Sequence, residues 1–145
     1  QQQRTDLMEP VLYPLRKIEN AHGSLTAIEG LRDIPFEIKR VYYIYAVAEG
    51  ARRGFHAHHE LRQVLICVHG SCKVLLDDGV TKAVVVLEDP GQGLYIGRMV
   101  WREMFDFSPD AVLLVLASDY YDEEDYIRSY DEFLSECGKQ GDLID

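Results

Sequence analysis

Basic residues are in short supply. The 145-residue chain carries 15 Lys and Arg against 25 Asp and Glu, a formal charge of −10. A nucleic-acid or anionic-membrane surface needs a dominant basic field, so neither partner is expected. A small anionic ligand held by a local group of arginines remains compatible. Cysteine is also scarce: Cys67, Cys72 and Cys137 are odd in number and form no CxxC pair. Cys67 lies in an apolar run and reads as a buried free thiol, which points to a reducing cytoplasm. No apolar run approaches the ~20 residues of a membrane helix, and nothing at the start reads as a signal peptide. The sequence has no GxGxxG, no P-loop, no βαβ alternation, no internal repeat and no low-complexity segment. The common phosphate-cradling scaffolds are therefore absent.

What is present reads as strands. Apolar residues make up 47% and charged residues 28%, an ordinary globular balance, and the length suits one domain over residues 1–145. "FEIKRVYYIYAVA" (36–48) is β-branched and aromatic without Gly or Pro and reads as one long strand. "GSLTAIEG", "RQVLICVHG", "SCKVLLDDG", "TKAVVVLEDPGQG" and "AVLLVLAS" read as further strands, and "LYIGRMVWREMFDF" as one or two broken near Gly97. Turns recur about every eight to twelve residues, the spacing of a β-sandwich or barrel. Residues 1–10 read as a leading tail, either left over from expression or the edge of a longer protein. Residues 119–138 read as an amphipathic C-terminal helix, capped by Ser118 or Asp119 and closed by Gly138. Its apolar stripe is Tyr126, Tyr130, Phe133 or Leu134, and Cys137.

Four of the five histidines fall within "RRGFHAHHELRQVLICVHG" (52–70). With a side-chain period of two, His56 and His58 share one strand face, while Ala57 and His59 take the other. If the shared face looks into a barrel, two imidazoles converge on one cavity; the alternative is a half-exposed edge strand. His59 then lies outside, and His69, just before a turn glycine, reads as structural. Arg53 is the first candidate for an anion, since Arg offers planar, permanently charged donors. Strict alternation turns it away from His56. A bulge at Gly54 would bring it back, and without one Arg53 is a surface charge. Lys39, Arg40 and Arg52 are weaker candidates. Tyr43, Tyr45 and Tyr95 read either as stacking partners for a base or as core.

The spacing Gly50-x5-His56-x-His58-x4-Gln63-x6-Gly70 resembles the first motif of the cupin superfamily, with Gln63 where Glu usually stands. The resemblance implies an all-β cupin double-stranded β-helix, a jelly-roll barrel, followed by the C-terminal α-helix. In metal cupins a further His comes from a second motif, expected near "DPGQGLYIGRMVWREMF", where no His exists. Two imidazoles and an amide are a poor set for a transition metal. The expectation is a metal-free barrel in which His56 and His58 move protons, since an imidazole near its reference pKa of ~6.5 serves as base and acid near neutral pH.

From about Leu12 to Leu134 the chain closely resembles the dTDP-4-keto-6-deoxyglucose 3,4-ketoisomerases, the WxcM-like cupins. The matching segments include "RRGFHAH", "SLTAIEG", "IPFEIKRVYYI", "QVLICVHGSCKVLLDDG" and "VLLVLASDYYDEEDYIRSYDEFL". Related 3,5-epimerases share an R-G-x-H element, matched by Arg53, Gly54 and His56. The resemblance implies transfer of a keto group from C4 to C3 through an enediol, without a cofactor, on the way to 3-amino-3,6-dideoxy sugars of bacterial surface glycans. Such a tautomerisation needs one carbon-proton carrier and one oxygen-proton carrier, and we expect His56 for the first and His58 for the second. The resemblance places Arg102 and His22 near the sugar ring, and His22 departs from the Tyr or Arg common at that position. Gln63, Tyr45 and Tyr95 complete the expected substrate contacts. It also implies a homodimer with exchanged N-terminal strands, for which "VLYPL" and "SLTAIEG" are suited. Two other classes stay open: a sugar-nucleotide epimerase, which would keep the keto group at C4, and a non-catalytic sugar-binding cupin.

Overall fold

Alternation with a period of two sets the barrel wall. In β6 (Gln63–His69) the side chains of Leu65 and Cys67 enter one cluster, while Val64 and Ile66 enter another on the opposite face. Both faces are covered, which is why this strand reads as a continuous apolar run rather than a polar alternation. The computed structural model describes residues 8–144, with side chains through residue 138.

Two five-stranded antiparallel sheets face each other. The first runs β1 (Val11–Pro14), β9 (Gln92–Ile96), β6, β11 (Val112–Ala117), β4 (Arg40–Tyr45). The second runs β12 (Tyr126–Ile127), β5 (Arg53–His58), β10 (Trp101–Phe105), β7 (Cys72–Asp77), β8 (Lys82–Leu87). The main core lies between them and includes Leu65, Val74, Leu76, Leu94, Ile96 and Leu113. A second cluster backs the first sheet, where Leu15, Ile34 and Phe36 cover Val64 and Ile66. A separate hairpin, β2 (Arg16–Asn20) and β3 (Gly23–Ala27), stands largely exposed. This is the all-β jelly-roll barrel with a C-terminal helix that the resemblance implies. Cys67 and Cys72 are buried free thiols.

Three expectations about elements are corrected. The strand expected over 36–48 spans only Arg40–Tyr45. Phe36 is turned into the second cluster beneath the Arg62 guanidinium, and Ala46 takes a positive φ of 54°, which ends the ladder. The helix expected over 119–138 is α1 (Tyr130–Ile144), which does not close at Gly138. Before it come a short 3₁₀ turn at Glu123–Asp125, capped by the Asp122 side chain, and then β12, paired with His58 and Ala57. The helix start was legible as Ser129-x-x-Glu132, a capping-box pattern, and Ser129 Oγ accepts the Glu132 N–H at 3.3 Å. Of the residues 1–10 expected as a tail, Met8 packs on the main core, and residues 1–7 lie outside the described residues.

One irregularity positions the histidine strand. β10 pairs Arg102 with His56 and Glu103 with Gly54, so two steps on β5 match one on β10 and Phe55 is the extra residue. Gly54 has φ 95° and Phe55 φ 59°. A Cβ on Gly54 would stand 2.9 Å from the Arg102 carbonyl oxygen. We expect Gly54→Ala to cost about 1–3 kcal/mol, the range for a strained backbone position. The check is the urea midpoint; an unchanged midpoint would mean that the bulge is not held by this residue.

Candidate active site

The bulge puts Arg53 and His56 on one cavity. That cavity, about 420 Å³, is lined by His56, Arg40, Arg53, Tyr42, Tyr126 and Arg128 among others, and by no carboxylate. His56 and His58 stand edge to face, ring centroids 5.0 Å apart. Tyr126 covers both, 5.0 Å from His56 and 4.4 Å from His58. The Arg128 guanidinium lies over the Tyr126 ring, 4.1 Å from its centroid, and is itself fixed by Glu123 at 2.7 and 2.8 Å. His58, 1% exposed, opens instead onto an adjoining cavity of about 190 Å³ that shares Arg40 and Tyr126 with the first.

Beneath the imidazoles lies Arg102, 1% exposed. Its Nε and Nη2 donate to the Val100 carbonyl at 3.3 and 3.0 Å, and Nη1 donates to Gln63 Oε1. Gln63 Nε2 donates to the Tyr42 hydroxyl at 3.1 Å. Burial lowers the Arg102 pKa to about 10, so the guanidinium stays charged at neutral pH. Both imidazoles feel the consequence. Burial first, and the Arg102 charge second, push His56 down to about 4 and His58 to about 2. Both are therefore neutral at pH 7. His56 Nδ1 is 3.1 Å from the Gly54 carbonyl oxygen, an acceptor, which assigns the proton to Nδ1 and leaves Nε2 with a lone pair. The arrangement is that of two neutral bases on a cationic floor.

The expected residues divide into two groups. His56, Arg53 and Tyr45 line the cavity, with Tyr45 64% exposed at its rim beside Tyr43. Gln63 and Arg102 are buried, and His58 lines the smaller adjoining cavity. Tyr95 is not there. Its neighbours Leu94 and Ile96 enter the main core, so Tyr95 points to the outer face and packs edge-on against Tyr13, centroids 6.0 Å apart. His22 is not there either. It sits in the β2–β3 turn, in a surface hollow that shares no residue with the histidine cavities. His59 is off the cavity, and His69 lies 3.0 Å from Asp110 at the β6–β7 turn. Sequence reasoning missed Tyr126, Arg128 and Asp125 because a helix was drawn through them. It also missed Tyr42, which follows Arg40 by two along the inward face of β4.

The cupin fold raises the question of a metal. The third donor position is Gln63, and its Oε1 already accepts from the Arg102 guanidinium. A permanent cation at that point competes with a divalent ion for the same oxygen, and among the described residues no group of three His, Cys, Asp or Glu converges. These residues do not fit a metal.

The lowered imidazole values carry a stability consequence. Unfolded, both groups return to about 6.5; folded, they stay neutral. As pH falls below 6.5 the unfolded chain therefore binds protons that the folded chain does not, and stability drops. The loss from His56 accumulates down to about pH 4 and that from His58 down to about pH 2. Carboxylates with lowered values, such as Asp33 and Asp110, add their loss only below their ordinary range near 3.8. The urea midpoint should fall between about pH 7 and pH 5, less steeply in His58→Asn than in the wild type. A midpoint flat across that interval would show that the imidazoles are not held neutral.

Comparison with known proteins follows the same line. A family model described as FdtA, WxcM-like, C-terminal matches residues 8–138. The chain is 56% identical over 126 residues to TDP-4-oxo-6-deoxy-alpha-D-glucose-3,4-oxoisomerase of Aneurinibacillus thermoaerophilus, covering 87% of this chain and 91% of that one. The crystal structure of QdtA, a sugar 3,4-ketoisomerase from Thermoanaerobacterium thermosaccharolyticum in complex with TDP, matches with a TM-score of 0.88 and 53% identity. That match covers 90% of this chain and 96% of QdtA. A variant of QdtA in complex with TDP-4-keto-6-deoxyglucose matches with a TM-score of 0.89 and 51% identity, over 92% and 97% of the two chains. The dTDP-4-dehydrorhamnose 3,5-epimerase of Bacillus anthracis, at 13% identity and a TM-score of 0.69 over 79% and 75%, shares the fold alone. The chain belongs to the FdtA, WxcM-like family, that of the sugar 3,4-ketoisomerases.

Proposed function

We propose that this chain converts TDP-4-keto-6-deoxyglucose to its 3-keto isomer by proton transfer through an enediol. The observation that carries the reading is the pair of neutral imidazoles, ring centroids 5.0 Å apart, with His56 on a cavity ringed by Arg40, Arg53 and Arg128 and His58 on the smaller cavity beside it. A neutral imidazole can remove a proton, and the arginines suit a pyrophosphate in a protein otherwise strongly acidic. Support also comes from the relatives, whose names and bound molecules are those of TDP-sugar ketoisomerases.

In this mechanism His56 takes the C3 proton. The electron pair left on C3 forms the C3–C4 double bond and negative charge collects on O4. His58 takes the O3 proton and passes it to O4, C3 becomes the carbonyl carbon, and the protonated His56 returns its proton at C4. One proton has left C3 and one has reached C4; one has left O3 and one has reached O4, so substrate and product are isomers and no electron acceptor is needed. The buried Arg102 charge stabilises negative charge that builds up on the enediol oxygens, an attraction that would be weak in water and is strong in this buried site. Tyr45 and Tyr43 stack on thymine at the rim. The product, a 3-keto sugar, suits amination at C3 for surface glycans, in the cytoplasm. The working unit is a homodimer in which exchanged N-terminal strands carry His22 to the partner's cavity; the exposed Ile18 (58%) and Leu25 (56%) of the hairpin support this. A monomer in light scattering at micromolar concentration would remove His22 from the site.

The direct test is proton NMR of TDP-4-keto-6-deoxyglucose incubated with the protein. A new 3-keto sugar should appear, at the same rate after exhaustive chelation. His56→Asn should abolish turnover and deuterium exchange at C3. His58→Asn should slow turnover by ~10²–10⁴-fold, the usual worth of acid–base assistance, while leaving slow C3 exchange. His59→Asn should be near neutral. If no new keto sugar forms, the reading fails.

A further inference from the structure

We infer that Asp125 is a positioning residue for His58, holding the imidazole in the tautomer whose proton is on Nδ1 and whose Nε2 is free to accept a hydroxyl proton. The use His58 makes of that lone pair rests on the ketoisomerase reading; the tautomer itself does not.

Asp125 ends the 3₁₀ turn directly before β12. Its carboxylate is fixed in place by the chain leaving β5: Oδ1 accepts the Glu60 N–H at 2.9 Å and Oδ2 the Leu61 N–H at 3.1 Å. Its own carbonyl accepts the His59 N–H at 3.0 Å. The side chain is 16% exposed, and Oδ2 lies 3.3 Å from His58 Nδ1. That contact is within reach but poorly aligned, so neither buried ring nitrogen of His58 has a well-formed hydrogen bond. Geometry of this kind commonly tightens when substrate binds.

The chemistry decides the proton's place. A neutral imidazole carries one N–H. An ionised carboxylate only accepts. With the lone pair on Nδ1, two acceptors would face each other in a buried space, at a cost; with the proton on Nδ1 the contact is favourable. The ring has little freedom to turn away, because the Tyr126 ring packs on it at 4.4 Å and β12 pairs Tyr126 with His58. The Gly54 carbonyl does for His56 what Asp125 does for His58. The two imidazoles, one resting on a backbone oxygen and one on a carboxylate, then both keep Nε2 as the base.

Long-range proton–nitrogen NMR of histidine-labelled protein at neutral pH, with His58→Asn to assign the signal, reads the tautomer directly. The expected result is Nδ1–H for His58 in the wild type. In Asp125→Asn the preference should be lost and kcat should fall about 10–100-fold, the usual range for a group that orients a ligating or reacting side chain. KM should change far less. An Nε2–H tautomer in the wild type would overturn the inference, and needs no variant to fold. So would an Asp125→Asn protein that keeps the Nδ1–H tautomer, whether its activity is unchanged or lost with its thermal stability, since the role would then be structural only. If the wild type shows the Nδ1–H tautomer but makes no 3-keto sugar, the ketoisomerase reading falls and the positioning by Asp125 stands.

Discussion

Arg102 donates all its described hydrogen bonds to neutral oxygens, the Val100 carbonyl and the Gln63 amide, and forms no ion pair among the described residues. Burying a guanidinium in this way carries an effective penalty of several kcal/mol even after relaxation. The barrel tolerates it because the donors are satisfied and because Gln63 is in turn anchored on Tyr42. The neutral partner is what matters for function. A carboxylate at position 63 would cancel the guanidinium charge and raise the affinity of nearby imidazoles for protons. With an amide there, the charge stays uncancelled and adds to burial in keeping His56 and His58 neutral. The exchange of Glu for Gln thus spoils a metal site and prepares two bases in one step.

The second dependence runs through β5. Only four residues separate Arg53 from His58, and this stretch must deliver an arginine and one imidazole to the larger cavity and a second imidazole to the smaller one beside it. A regular strand cannot, because Arg53 and His56 are three apart and fall on opposite faces. The bulge at Phe55 supplies the missing residue and also sets the Gly54 carbonyl against His56 Nδ1. The left-handed φ values at Gly54 and Phe55 are the local strain that this arrangement requires. On the other edge, β12 pairs with His58 and Ala57 and lays Tyr126 over both imidazoles.

Much of this was legible because strand periodicity is strict. His56 and His58 share a face in the sequence and in the structure; the turn spacing pointed to a β-sandwich or barrel, and the jelly roll came from the cupin resemblance. The bulge was visible only as a glycine that could permit it, since register depends on the partner strand. Tyr95 shows where the same rule was underused: Leu94 and Ile96 flank it as an apolar pair with period two, which already turns Tyr95 to the other face. The 119–129 segment failed for a different reason. Its acidic and aromatic residues suit a helix locally, but pairing with β5 and covering the imidazoles won over local preference. His22 went astray because its position near the sugar ring came from the resemblance alone, whereas the chain puts it in the turn of the exposed β2–β3 hairpin.

The charge distribution explains how an anion can be held by so acidic a protein. Over distances beyond about 10 Å the net charge is screened at physiological salt, and the local guanidinium groups dominate. Arg53 has no carboxylate within ion-pair distance among the described residues, whereas Arg128 is committed to Glu123. The three arginines are thus unequal: Arg53 and Arg40 are available to oxygen ligands, and Arg128 mainly braces Tyr126. Tyr126 consequently borders both cavities, the larger cationic one with His56 and the smaller one with His58. Its ring packs on both imidazoles, which burial keeps neutral even beside this charge.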